Sequence, residues 1–257
     1  MISTISLEGS ALTGARPRRL TRSTTFLLLA SMVVSFLAGS IAPTPVYALY
    51  QAAWGFTPIT TTLVFGVYAL AVLASLLVAG SLSDHVGRRP VLLSALVLQA
   101  LAMLIFASAG GVSALLVARV VQGLSTGAAL GALGAGMLDL DRPRGTVANS
   151  VAPMLGTATG GFVSGLMVEF LPAPTHLVYL AMLGVFALQG VGVLLMTETS
   201  SPSPGALASL RPQLRLPALL RTPVLLAAPL LIASWALAGF YGSLGPALVR
   251  TVVAVKS

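Results

Sequence analysis

Gly80-Ser81-Leu82-Ser83-Asp84-His85-Val86-Gly87-Arg88-Arg89-Pro90 separates two apolar runs, residues 59–79 and 91–109. An acid, two arginines, a histidine and two glycines are packed into this one connection. A bilayer core about 30 Å thick needs roughly 20 apolar residues in a helix, and both flanking runs approach that length. So short a charged link between two such runs predicts a tight hairpin at a membrane surface. Gly80 and Gly87 allow the reversal, because a residue without a Cβ reaches backbone conformations closed to others. Asp84 is placed to pair with Arg88 or to cap a helix start.

Composition points the same way. Of 257 residues, 56% are hydrophobic and 8% are charged, and mean hydropathy is +0.97. A soluble domain carries about 25% charged residues, so a water-soluble globule is excluded. Apolar runs recur at residues 26–49, 59–80, 91–109, 112–138, 148–171, 177–196 and 224–249. In lipid every backbone N–H and C=O must be satisfied within the segment, which makes these runs helices. The short alternating segments of a membrane β-barrel are absent from the sequence. The expected fold is an all-α integral membrane protein with a six-helix bundle over residues 26–196 and one further transmembrane helix within 223–257. Residues 1–25 form an N-terminal tail. Residues 197–222 form a linker, marked by Ser200-Ser201-Pro202-Ser203-Pro204-Gly205.

The formal net charge of +8 would suggest a nucleic-acid partner in a soluble protein. Its distribution argues otherwise. Arg16, Arg18, Arg19 and Arg22 precede the first run, Arg88 and Arg89 follow the second, Arg142 and Arg144 the fourth, and Arg211, Arg215 and Arg221 the sixth. The alternate connections, residues 50–58, 110–113 and 172–176, hold no Lys or Arg. This positive-inside pattern predicts a multi-pass cell-membrane protein with a cytoplasmic N-terminus. The partners implied are the lipid bilayer and a small molecule, with no nucleic acid. A cleaved signal peptide is disfavoured, since the first run is long for an h-region of roughly 7–15 residues. Pro212 and Pro217 interrupt the linker's second half, which reads as a basic segment near lipid headgroups rather than a stable surface helix.

With these residues in view, a family resemblance emerges. The pattern Gly80, Asp84, Gly87, Arg88, Arg89 is similar to the loop between helices two and three of the major facilitator superfamily, G-x-x-x-D-(R/K)-x-G-(R/K)-(R/K). His85 stands where the family carries a basic residue. Arg119-Val120-Val121-Gln122-Gly123 resembles the fourth-helix motif R-x-x-Q-G. Such an arginine inside a span costs at least about 2.5 kcal/mol on insertion scales and normally faces a cavity or a partner. Snorkelling to the outer headgroups is the competing reading, but it leaves Gln122 and Gly123 unexplained. The resemblance implies that Arg119, with Gln122 beside it, belongs to the transport pathway and to proton coupling, and that the Gly80–Arg89 turn gates the cytoplasmic side.

Small residues then recur at spacings that let a second helix approach closely. Gly123, Gly127 and Gly131 lie on one face of the fourth span, and packing is the preferred reading. Gly156, Gly160, Gly161 and Gly165 resemble the G-x-x-x-G-P-x-x-G-G motif of family antiporters, with Gly161 in place of Pro and Ser164 in place of Gly. That likeness implies export coupled to protons. Pro43 and Pro45 resemble the proline-rich end of helix one in drug/proton antiporters, and a turn leaving the membrane is the other reading. Glu169 reads as a solvated interfacial residue.

Rival functions fare less well. There is no cysteine, hence no disulfide or thiol nucleophile. The sequence lacks paired carboxylates within the runs and a Walker-type loop, which argues against a membrane enzyme or an ATP-driven pump. No cofactor or metal is expected. A non-transporting remnant or scaffold, and a facilitator working in uptake, remain as alternatives. The seventh run ends beside Arg250 and Lys256 on what should be the outer side. The chain is therefore expected to be C-terminally truncated, needing a missing half or a second copy to complete a transport path.

Overall fold

The computed structural model describes residues 19–200, 203–209, 221–230, 232–234, 236–237 and 239–241. Arg16, Arg18, Arg211, Arg215, Pro212, Pro217, Trp235, Arg250 and Lys256 lie outside them, as does the chain from 242 onward. Seven helices among the described residues are long and apolar enough to cross a membrane. The protein is an all-α membrane protein, as its apolar runs predict.

The first span is two helices end to end, α1 (Arg22–Ile41) and α2 (Pro43–Trp54), which with Ala42 between them cover 33 residues. Then come α3 (Pro58–Ala79), the short α4 (Leu82–Val86) and α5 (Arg88–Ala107). They are followed by α6 (Val112–Leu140), α7 (Arg142–Phe170), α8 (Pro174–Leu195) and one turn, α9 (Ala206–Ser209). A seventh candidate span covers Arg221–Tyr241.

The element boundaries follow local chemistry. Thr21 caps α1 by accepting from the Thr24 amide at 3.2 Å. Asp141 ends α6 and starts α7, its Oδ1 accepting from the Arg144 amide at 3.0 Å. Pro58 and Pro174 open α3 and α8, where a missing N–H costs nothing. Gly55 ends α2 in the left-handed conformation, φ 65°. The prolines at 43 and 45 do not end the helical run. Ala42 keeps right-handed helical angles, φ −49° and ψ −36°, and α2 runs on for 12 residues. Proline is tolerated in a first helical turn, so the span is interrupted at Ala42 and resumes.

Packing is organised around α6, which lies against α3, α5, α1 and α7, while α1 also packs on α7 and α5 on α8. Aromatic pairs lock the interior. Phe36 meets Phe186 edge to face at 5.4 Å, and Phe106 stacks on Tyr179 at 5.0 Å. The outward faces are apolar, with Leu70 68% exposed on α3, Met154 72% on α7 and Leu188 74% on α8. Such faces are those a bilayer covers.

The glycine stripes form two helix interfaces. A Cβ at Gly123 would lie 2.6 Å from the Ala71 Cβ, and one at Gly127 would lie 2.6 Å from the Val72 carbonyl, both on α3. At Gly131 the nearest atom is the Gly80 carbonyl at 3.0 Å. On α7, a Cβ at Gly156 would lie 2.5 Å from the Val34 carbonyl, and one at Gly160 2.5 Å from the Ala38 Cα. Gly161 meets only Ile41 at 3.4 Å, and Gly165 has nothing within 4 Å.

Candidate functional site

Two polar constellations stand out in an apolar bundle. The first closes one end of it. Because consecutive spans of the bundle run in opposite directions, Arg19, Arg22, Arg88, Arg89, Arg142 and Arg144 come to that end. Gly87 makes the reversal between α4 and α5 with φ 106° and ψ 153°, a region open essentially to glycine alone. Arg88 is buried there. Its Nη1 donates to the Ser83 hydroxyl at 2.6 Å and to the Asp84 carboxylate, and its Nε donates to Asp139 Oδ2 at 3.2 Å. Of the two roles open to Asp84, pairing with Arg88 is the one seen. Asp84 is 53% exposed, and pairs of that kind contribute about 1 kcal/mol or less. The buried guanidinium, tying α4 to the end of α6, is the structural centre of the turn.

Glu198 is part of this network and was not singled out from the sequence. Its Oε1 accepts from the Arg88 amide at 2.8 Å and its Oε2 from the Arg89 amide at 2.9 Å. A carboxylate at a helix N-terminus satisfies free N–H groups and meets the positive end of the helix dipole. Glu198 thereby fastens the chain leaving α8 to the start of α5. Two carbonyls at the end of α8 are also used: Arg89 Nη2 donates to Leu194 and the Leu20 amide to Leu195. The following segment lies across α4. The Ser203 amide donates to the His85 carbonyl at 3.0 Å and the Ser81 hydroxyl to the Ser209 carbonyl at 3.3 Å.

Gly87→Ala tests this turn. A Cβ there would lie 2.7 Å from Glu198 Oε2, so the carboxylate must leave its cap, and the backbone strain adds about 1–3 kcal/mol. The expected result is a melting temperature lowered by several degrees in detergent. Gly165→Ala, which meets no atom within 4 Å, should melt no lower than the parent. Equal melting of the two variants would dissociate Gly87 from the clasp.

The second constellation surrounds Arg119, which is 0% exposed. This burial rules out snorkelling to a headgroup. Its Nε donates to the Tyr47 hydroxyl at 2.7 Å, and its Nη1 to the Ser40 carbonyl at 2.8 Å and to Gln122 Oε1 at 2.7 Å. The rings of Tyr47, Tyr68 and Phe106 lie 5.1–5.6 Å from the guanidinium carbon, within cation–π range. One side chain on α6 thus touches α1, α2, α3 and α5.

The break in the first span explains why these partners meet. Pro43 has no N–H to give to the carbonyl four residues earlier, which is that of Gly39. Gln122 Nε2 donates to that carbonyl at 2.9 Å. Ser164 donates its hydroxyl to the Ala42 carbonyl, so the residue that replaces a motif glycine in α7 also serves the break. Gln99 on α5 and Gln189 on α8 complete the polar layer. Gln189 Oε1 accepts from the Ser35 hydroxyl at 2.8 Å, whereas neither amide atom of Gln99 has a partner. The sequence reading passed over Gln99 and Gln189. An amide in an otherwise apolar run was the available signal.

Arg119 and Gln122 are therefore brought together at the break, and Asp84, Gly87, Arg88 and Arg89 at the basic end. Gly80 caps α3 and abuts Gly131, and Glu169 is exposed near the far end of α7. In comparison with known proteins, residues 27–253 match the Major Facilitator Superfamily. No curated protein matches the chain. A match spanning nearly the whole chain, with two of that family's motifs built into defined sites, places this protein in the Major Facilitator Superfamily.

Proposed function

We propose that this chain is a secondary active transporter that exports a small molecule by alternating access, driven by protons. The basic end faces the cytoplasm of the cell in this reading, and the Asp84–Arg88–Glu198 turn is its gate. Arg119 and Gln122 border the pathway. The observation that carries the reading is Arg119: a permanent charge at zero exposure, held against an interrupted helix. Broken helices that present backbone groups to a site are a recurring device of transporters, and buried intramembrane charges mark pathways. Export and proton coupling rest on the likeness of α7 to antiporter sequences. In this reading Arg119 sets the field around a separate group that carries the proton.

Everted membrane vesicles from cells expressing the chain test this directly. With an acid-inside gradient reported by acridine orange, a transported compound is expected to release protons and dequench the dye. Arg88→Leu should suppress the response at least tenfold. A compound panel that dequenches vesicles with and without the chain equally would remove proton-driven export. Loss of preloaded compound from the vesicle lumen that depends on the chain, without dequenching, would favour uptake.

A further inference from the structure

Several buried polar atoms near the break in the first span are left over once the hydrogen bonds of the bundle are assigned. Beside the hydroxyls of Thr44 and Thr126, they include Arg119 Nη2 and the whole amide of Gln99. Arg119 and Gln99 are both 0% exposed, and both adjoin the same stretch of α1. Arg119 Nη1 bonds the Ser40 carbonyl, and a Cβ at Gly39 would lie 3.2 Å from Gln99 Nε2. The Ser125 hydroxyl donates to the Ala95 carbonyl at 2.7 Å, which fixes the register of α5 against α6. One turn further along each antiparallel helix, Gln99 and Gln122 come level. Arg119 follows Gln122 by another turn.

Buried polar groups nearly always find a partner, and a buried charge needs a compensating one. Most ionisable side chains escape that demand by changing protonation, but arginine cannot. Among the described residues no carboxylate pairs with Arg119. Its charge is met by neutral oxygens and three ring faces, and one nitrogen has no hydrogen-bond partner. A group that carries negative charge and accepts hydrogen bonds would answer both deficits.

We propose that this layer binds a small organic anion, a carboxylate whose oxygens accept from Arg119 Nη2 and from Gln99 Nε2. The rings of Tyr47, Tyr68 and Phe106 around the guanidinium favour a ligand with an apolar body behind the carboxylate. A halide brings no such body to those rings. As cargo recognition the site rests on the transport reading, while its binding chemistry requires no flux.

The probe is radiolabelled sodium benzoate, with the full chain in lipid nanodiscs. Benzamide serves as a neutral compound of the same shape and sodium chloride as the competing anion. Saturable benzoate binding is expected, at least tenfold tighter than benzamide and not displaced by chloride at equal concentration. Gln99→Leu removes two orphaned atoms at similar volume. It should melt higher than the parent yet bind benzoate at least tenfold more weakly. Arg119→Lys should keep the preference for benzoate over benzamide, and Arg119→Gln should lose it. If Gln99→Leu melts higher and binds benzoate as the parent does, the amide is structural and the proposal fails. Equal affinity for benzoate and benzamide, or displacement by chloride, overturns it as well. Benzoate binding without flux in vesicles would sink transport and leave the site standing; flux without benzoate binding would do the reverse.

Discussion

Gly160→Val is expected to yield no folded bundle, while Gly165→Ala yields one that behaves as the parent. At Gly160 a Cβ would stand 2.5 Å from the Ala38 Cα and 2.7 Å from its carbonyl carbon. These are backbone atoms of α1, which no rotamer change can move aside. Overpacking in a core that can relax costs about 1–3 kcal/mol. Here two helices must separate along their contact, which includes Gly156 against Val34. Lipid supplies little hydrophobic drive to pull them back, since close packing itself holds membrane helices together. Against a total stability of about 5–15 kcal/mol, a branched side chain at this position exceeds what the bundle tolerates. Fluorescence-detected size exclusion after detergent extraction reads the outcome, with a lost or aggregated peak expected. A monodisperse Gly160→Val protein melting within about 2 °C of the parent, a shift worth about 1 kcal/mol or less, would mean that α1 and α7 do not pack as described.

The same pair of glycines shows what the sequence could and could not disclose. Gly156, Gly160, Gly161 and Gly165 read alike as one packing series. Helix geometry separates them, because each residue turns the chain by about 100°. Four residues bring Gly156 and Gly160 onto nearly one face, whereas Gly165 lies about 140° away from Gly160. Which face meets α1 is a tertiary fact, and only then does Gly160 become critical and Gly165 neutral. The spans themselves were legible because lipid forces apolar runs into helices. The Gly80–Pro90 turn was legible because little else joins two such helices so tightly. Arg119 and Gln122 could be picked out by their expense, but their partners Ser40, Gly39 and Tyr47 lie 72–83 residues away. Nothing local to either segment announces that pairing. Pro43 held the missing clue, since a proline inside a span frees a carbonyl that some donor must meet. Glu198 escaped notice for the opposite reason: an acid in a connecting turn usually needs no partner, and this one caps a helix from another span.

Arg119→Met should leave a folded protein that has lost about two orders of magnitude in transport rate. The stability terms oppose one another. Removing the guanidinium strands the Tyr47 hydroxyl, the Ser40 carbonyl and Gln122 Oε1, at about 1–3 kcal/mol for each buried group left unsatisfied. It also relieves the burial of an unpaired charge, an expense of several kcal/mol. These offset within a few kcal/mol, and methionine adapts to irregular space. The functional loss has no such compensation. A hydrogen bond to a charged group contributes about 1.5–3 kcal/mol, and each 1.4 kcal/mol is a factor of ten, so losing one such bond to the cargo at the upper value slows transport roughly a hundredfold. Arg119→Lys should fall between the two, because an ammonium keeps the charge but cannot reproduce the planar fork that holds Tyr47, Ser40 and Gln122 together. Initial rates in proteoliposomes, divided by the protein recovered as a monodisperse peak, separate lost function from lost folding. Tyr47→Phe, which withdraws a single partner from the guanidinium, should give a smaller loss in the same assay. If folded Arg119→Met protein transports within threefold of the parent, the arginine is a structural tie between α6 and the broken first span. The pathway would then have to be sought on another face of the bundle.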